Sequence, residues 1–204
     1  NFEQNTKKMW HPNEEGARRL AAIIDRIKAE GKGKDYDSII GLSGGVDSSY
    51  VALKAKEWGL RPLVVHVDAG WNSELAVSNI ENIVKYCGYD LHTHVVRWEE
   101  MRSLHLSYLK SGISNQDVPQ DHAFISTLYR ESAAYGIKNL LTGGNVSTEA
   151  IFPAEWHGSA MDGRNLRAIH REFGDFPLKS YRPLGFFGYY VYYPIIRGLK
   201  KIYP

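Results

Sequence analysis

The chain has 204 residues, 43% hydrophobic and 24% charged, which suits one globular domain with a sizeable core and excludes a disordered or fibrous class. A formal charge of +2 provides no overall basic surface for nucleic acid, and no apolar run approaches the roughly 20 residues of a membrane span. Cys87 is the single cysteine, so an internal disulfide and a CxxC zinc site are excluded and a reducing, cytoplasmic setting is expected.

The opening "NFEQNTKKMW" shows no signal peptide, and its first residue, Asn, is expected to lie inside a longer natural chain. "NEEGARRLAAIIDRIKAEGKGKD" places apolar residues at 20, 23, 24 and 27, a helical period, with Asn13 as a cap and the Gly/Lys run 31–34 as a stop. Residues 1–35 are read as an N-terminal helical segment and 36–204 as the main domain. "SIIGL" reads as a short buried strand, "DSSYVALKAKEWG" as a helix, and "RPLVVHVD" as a second buried strand. "SELAVSNIENIVKYCG" is a helix with apolar positions 75, 76, 80, 83 and 84. "LHTHVVRW" is a third strand and "EEMRSLHLSYLKSG" a helix; "ISNQDVPQ" is a polar loop. "DHAFISTLYRESAAYG" is helical, and "IKNLLTGG" is a fourth strand. Residues 151–204 break the rhythm with one helix, "GRNLRAIHREFG", and the aromatic run "PLGFFGYYVYYPIIRG". The closing "GLKKIYP" opens a fifth strand. The alternation predicts an α/β fold: a doubly wound, five-stranded parallel sheet with helices on both faces and right-handed crossovers.

"GLSGGVDSSY" joins the first strand to the next helix. Gly44 and Gly45 let the backbone approach an anion, the helix N-terminus supplies free N–H groups, and Ser43, Ser48 and Ser49 supply hydroxyls. No lysine follows the glycines, so this is not the ordinary P-loop. Asp47 beside an anion makes sense as a magnesium ligand or as a helix cap. A Gly/Ser turn that merely starts a helix remains the plain alternative.

"SGGVDSS" resembles the pyrophosphate loop of the N-type ATP pyrophosphatases (PP-loop enzymes), with the likeness spanning the strand pattern from about residue 36 to 150. The resemblance implies ATP and Mg²⁺ as ligands. Cleavage would fall between the α and β phosphates, with the pyrophosphate held by Ser43, Gly44, Gly45, Val46, Asp47, Ser48 and Ser49. "LLTGGNVSTE" is similar to the segment of ammonia-dependent NAD synthetases that ends in a magnesium-binding glutamate. It implies nucleotide contacts from Thr142, Gly143, Gly144 and Asn145, although Asn145 stands where that family often has Asp. Asp47 and Glu149 become the Mg²⁺ ligands, Glu149 having a helix N-terminal role as its plain alternative. In the resembled family the end of the second strand receives adenine and ribose, which implies His66, Val67 and Asp68 of "VVHVDAGW" as candidates, His66 having packing against the sheet as its plain alternative. Trp71 either stacks on a base or covers the core.

The wider wording, "VDAGWNSELAVSNI", "PQDHAF" and "TGGNVSTE", resembles the N-acetyl sugar amidotransferases of lipopolysaccharide O-antigen biosynthesis. That resemblance implies adenylation of an N-acetyl oxygen on a nucleotide-linked diacetamido uronic acid, followed by displacement of AMP by ammonia to give an acetamidino sugar. It implies a separate glutaminase subunit supplying ammonia, and a cyclase-like partner. The family's cysteine-rich N-terminal segment, which would precede "NFEQNTKKMW", is not in this sequence, so these residues give no prediction about zinc. Asp47, Ser43 and Arg130 are the catalytic candidates, with Lys179 and Arg182 as further cations for the separating charges. Asp121 and His122 are candidates for the acceptor, Asp121 being equally a natural N-cap. His92 and His94 share a strand face without an evident third metal ligand. The aromatic run suits core, a homo-oligomer or a partner surface. A tRNA-modifying PP-loop enzyme (thiolation or lysidine formation) and a non-catalytic nucleotide-binding module remain the competing readings.

Overall fold

The computed structural model describes residues 11–144 and 159–203. Its strands are β1 (Ser38–Gly41), β2 (Pro62–Asp68), β3 (Leu91–Val95), β4 (Asn139–Leu141) and β5 (Lys200–Ile202). They form one parallel sheet in the order β3-β2-β1-β4-β5. The sheet therefore grows one way from β1 through β2 and β3, and the other way through β4 and β5. The chain reverses direction across the sheet between β1 and β4, the place where open α/β sheets form a crevice.

Alternation along the strands sorts the core into two layers. Ile39, Leu63, Val65, Val67 and Leu140 project to one face. They meet α4 (Trp98–Ser111), α5 (Val118–Ala134) and α6 (Gly163–Phe173). Ile40, Val64 and Leu141 project to the other. There they meet α1 (Glu14–Glu30), α2 (Val46–Glu57) and α3 (Glu74–Cys87) through Ile27, Val51, Ala55 and Ile80. The expected doubly wound α/β fold with five parallel strands is the observed one.

The α1 boundaries follow its caps. The Asn13 side chain accepts from the Gly16 amide at 3.0 Å, Glu14 and Glu15 occupy the first turn, and Gly31 closes the helix. Two expectations shift. Helix α5 begins at Val118 instead of residue 121, because Pro119 fits a first turn where its missing N–H is not needed. Leu75, one of the apolar positions in the α3 pattern, is 71% exposed in that helix's first turn. The aromatic run forms a π-helix over Phe187–Ile196, which the sequence pattern did not reveal.

The segment between α6 and the π-helix is fixed by a buried acid. Glu100, in the first turn of α4, is fully buried. Its carboxylate accepts from the amides of Ser180 (3.0 and 3.1 Å) and Tyr181 (2.7 Å), and from the Ser180 hydroxyl (2.9 Å). Burial alone would raise its pKa, but these donors overcome burial and hold it below the ordinary 4.5. Glu100→Ala leaves several buried donors unpaired and is expected to lower the unfolding free energy by about 3 kcal/mol in urea titrations at pH 7. The stabilisation from a depressed carboxyl is present above its unfolded pKa and is lost as pH falls through the folded one. The lead of the wild type over Glu100→Gln should accordingly shrink as pH falls below about 4.5.

Candidate functional site

The turn after β1 leads straight into α2. The N-cap of α2 is Gly45, which has no side chain with which to cap the helix. The first amide to close a helical bond is that of Ser49, to the Gly45 carbonyl at 3.1 Å. The amides of Val46, Asp47 and Ser48 are thus at a helix start without a side-chain cap, where the dipole favours an anion. Ser43 and Ser48 hydroxyls lie 3.1 Å apart, and Ser48 Oγ accepts from the Ser43 amide at 3.3 Å. The loop is already shaped by its own serines.

Gly44 has φ of +80°, and a Cβ there would meet the Ala76 carbonyl of α3 at 2.4 Å. Its own carbonyl accepts from Asn79 Nδ2 at 3.1 Å. Gly143, just beyond β4, is equally constrained: a Cβ would lie 2.9 Å from the Asp47 carbonyl group and 3.0 Å from the Ser48 nitrogen. The loops leaving β1 and β4 therefore touch backbone to backbone, and only glycine permits that approach.

Between them opens a cleft of about 680 Å³. Ser43, Gly45, Val46, Asp47 and Ser48 line it from the first loop, and Thr142, Gly143 and Gly144 from the loop after β4. His66 and Val67 come from β2, Trp71 and Asn72 from the turn after it, and Gln120, Asp121 and Phe124 from α5. Lys201 and Tyr203 close the β5 side. The volume lies within the range of small-molecule and cofactor clefts.

The wall at β2 is a fixed network. His66 is buried; its Nδ1 donates to the Leu42 carbonyl at 3.0 Å, so Nε2 is the acceptor and receives Asn72 Nδ2 at 3.1 Å. Asn72 Nδ2 also donates to Asp68 Oδ1 at 2.9 Å, and Asp68 receives the Gly70 amide at 2.9 Å. Trp71 is half-exposed over the cleft, set edge-on to Trp98 with centroids 5.1 Å apart. Lys201 was not singled out from the sequence. Its amine donates to the Tyr189 hydroxyl at 3.2 Å and lies over the stacked rings of Tyr129 and Tyr189, 5.6 and 5.3 Å from their centroids.

The structure does not bring all the candidates to this cleft. Ser49 sits half-buried in the first turn of α2, outside the lining. Gly44 lies beneath the loop, and Asp68 is turned to its own turn and Asn72. His122 is fully buried: its Nδ1 is 2.9 Å from the Ala160 carbonyl and its Nε2 accepts from the Leu184 amide at 2.8 Å. Burial lowers its pKa, and both nitrogens are engaged in holding residues 160 and 184. Asp121 does line the cleft, and with α5 starting at Val118 it is not the helix cap. Arg130 and Arg182 line a different cavity. Lys179 lines neither cavity. Asn145 and Glu149 lie outside the described residues.

Asp47 is exposed in the cleft lining and can serve as one oxygen ligand to a hard cation. Among the described residues no three His, Cys, Asp or Glu side chains converge as a metal cluster, and His92 instead bonds Glu131 at 3.0 Å. A cation here would need phosphate oxygens as further ligands, which is how Mg²⁺ is commonly held. The residues fit such an ion. No helix among the described residues is long and apolar enough to cross a membrane.

No family model matches the chain, and no curated protein matches it. Among solved structures, it is similar to an NH3-dependent NAD synthetase from Campylobacter jejuni subsp. jejuni NCTC 11168 in complex with the nitrate ion. The two are 17% identical, with a TM-score of 0.47, over 64% of this chain and 57% of that one. It is also similar to the NMN synthetase from Francisella tularensis, 18% identical with a TM-score of 0.47, over 67% of this chain and 56% of that one. The chain thus spans less than two thirds of the length of these two structures.

Gly143→Ala tests the contact between the two loops. The added methyl must displace the Asp47–Ser48 peptide, so pyrophosphate binding measured by calorimetry is expected to weaken at least about tenfold, equivalent to losing one charge-assisted hydrogen bond.

Proposed function

We propose that the chain is an ATP pyrophosphatase-type amidotransferase. In this reading it adenylates the N-acetyl group of a nucleotide-linked diacetamido uronic acid and replaces AMP with ammonia. The observation that carries the proposal is the uncapped start of α2, with its two loop glycines, facing the Thr142–Gly144 turn across one cleft. That geometry supports a grip on two linked phosphates at the point where the sheet order reverses.

The amide oxygen of the acceptor attacks the α-phosphorus, and the bond to the β-phosphate's bridging oxygen breaks. Pyrophosphate leaves on the amides of Val46, Asp47 and Ser48 and on the Ser43 and Ser48 hydroxyls. Ammonia then adds to the activated carbon; AMP departs, a proton is released, and an amidine remains. The positive charge needed as pyrophosphate separates is assigned to Lys201, since it shares the cleft with the loop and Arg130 does not. Asp47 would hold Mg²⁺ together with phosphate oxygens, and that ion would neutralise phosphate charge; Glu149 remains the proposed second carboxylate. His66 and Val67 border the place assigned to the nucleoside. Trp71 offers a ring face to a base or sugar. Ammonia is assigned to a separate glutaminase subunit and the cytoplasm is the proposed compartment.

The test is incubation with ATP, Mg²⁺, ammonia and a nucleotide-linked diacetamido uronic acid. Expected products are AMP, pyrophosphate and an amidine, 1 mass unit lighter than its acetamido precursor by about the O-to-NH exchange. Asp47→Ala and Lys201→Met should each lower AMP release by at least about a hundredfold, as for loss of a charge-stabilising group. ADP as product overturns the assignment; AMP formed only with tRNA favours base modification, and ATP bound intact favours a binding module.

A further inference from the structure

The flank of α5 turned away from the cleft borders a second cavity of about 300 Å³. Ala123, Ser126, Thr127 and Arg130 of α5 line it, opposite the carboxyl end of β3 and the 180–182 segment. Residues 120, 121 and 124 of the same helix line the first cleft, so the two hollows stand about one helix diameter, ~10 Å, apart.

Arg130 is half-buried here, and the setting of its charge is unusual. A guanidinium has five N–H donors. Nη1 donates to Ser126 Oγ at 3.3 Å and Nη2 to the Arg182 carbonyl. Burial lowers its pKa; the Tyr193 and Tyr181 hydroxyls act against this and Arg182 adds to it. Among the described residues no carboxylate is among the groups acting on it. Glu131, its acidic neighbour in sequence, bonds His92 instead. Glu100 is occupied by the Ser180 and Tyr181 amides. A desolvated cation is costly without a counter-charge, and here a second arginine lines the same hollow. Two arginines with the Thr127 hydroxyl form a donor set suited to a planar or tetrahedral oxyanion.

We propose that the Arg130–Arg182 cavity is an oxyanion subsite, distinct from the first cleft, that takes a carboxylate or phosphate group. This assigns Arg130 to ligand binding and separates it from the charges that develop during ATP cleavage. The assignment stands whether or not the chain turns over ATP.

The test uses the full chain and two probes, inorganic phosphate and D-glucuronate, followed by the NMR signal of the Arg130 Nε–H group and by calorimetry. At least one probe should shift that signal. Arg130→Met should weaken its binding by about tenfold or more, the effect of removing a charge-assisted hydrogen bond. Arg182→Ala keeps the carbonyl that Arg130 uses, removes an exposed side chain, and should weaken binding severalfold without a change in melting temperature. It therefore remains informative if Arg130→Met fails to fold. Gly143→Ala, which disturbs the other cleft, should leave binding here unchanged, so the two sites fail separately. Tighter phosphate names a phosphate group as the occupant, and tighter glucuronate names a carboxylate. An unmoved Arg130 signal with both probes, or equal affinity in the wild type and Arg182→Ala, overturns the proposal.

Discussion

The contact between Gly143 and the Asp47–Ser48 peptide governs the architecture of the cleft. β1 pairs with β2 on one side and β4 on the other, so the turns that follow β1 and β4 leave the same edge of the sheet side by side. Any side chain at 143 would separate them. Because the turns touch, the start of α2 is held at a fixed height against the turn beyond β4. His66, tied to the Leu42 carbonyl, fixes β2 to the same edge. The cleft is built on strand ends and a helix start, so few of its groups depend on long flexible side chains for their position.

The second layer of organisation is the buried acid of α4. Glu100 draws the 180–181 segment onto the first-face core, and His122 draws residues 160 and 184 together from α5. The Tyr181 hydroxyl adds a bond of 2.7 Å to the Pro119 carbonyl. These polar groups are hydrogen-bonded, so the cost of burying them is offset. They also place Arg182 beside Arg130. The second cavity is thus a by-product of how the chain crosses back towards β5.

Much of this was legible in the sequence, for definite reasons. Buried parallel strands such as "PLVVHVD" are continuous apolar runs, and α1 and α3 carry a clear period, α1 with Asn13 as a recognisable cap. The glycine–serine loop announced itself because strand, glycines and helix start fall within a few residues. Other features depended on distant partners. His122 carries the same letters whether it faces a ligand or pins two backbone segments, and only the packing at residues 160 and 184 decides. Arg130 was singled out for its charge, but the turn of α5 on which it lies points it away from the loop. Lys201 was missed because its neighbour, Lys200, is equally basic; the three-residue strand β5 sends one to Glu30 and the other to Tyr189. The π-helix has no short-range pattern by which an aromatic run reveals its wider winding.

The missing side-chain cap on α2 has a dynamic consequence. With Gly45 in the cap position, the first turn depends for its polar partners on solvent or on whatever anion enters. An empty cleft leaves that turn free to fray and to exchange its amide hydrogens quickly, whereas an occupied one completes the helix and slows the exchange. Ligand capture and local ordering are then a single event, felt through the bond network of α2 and in the adjoining α3 that touches Gly44.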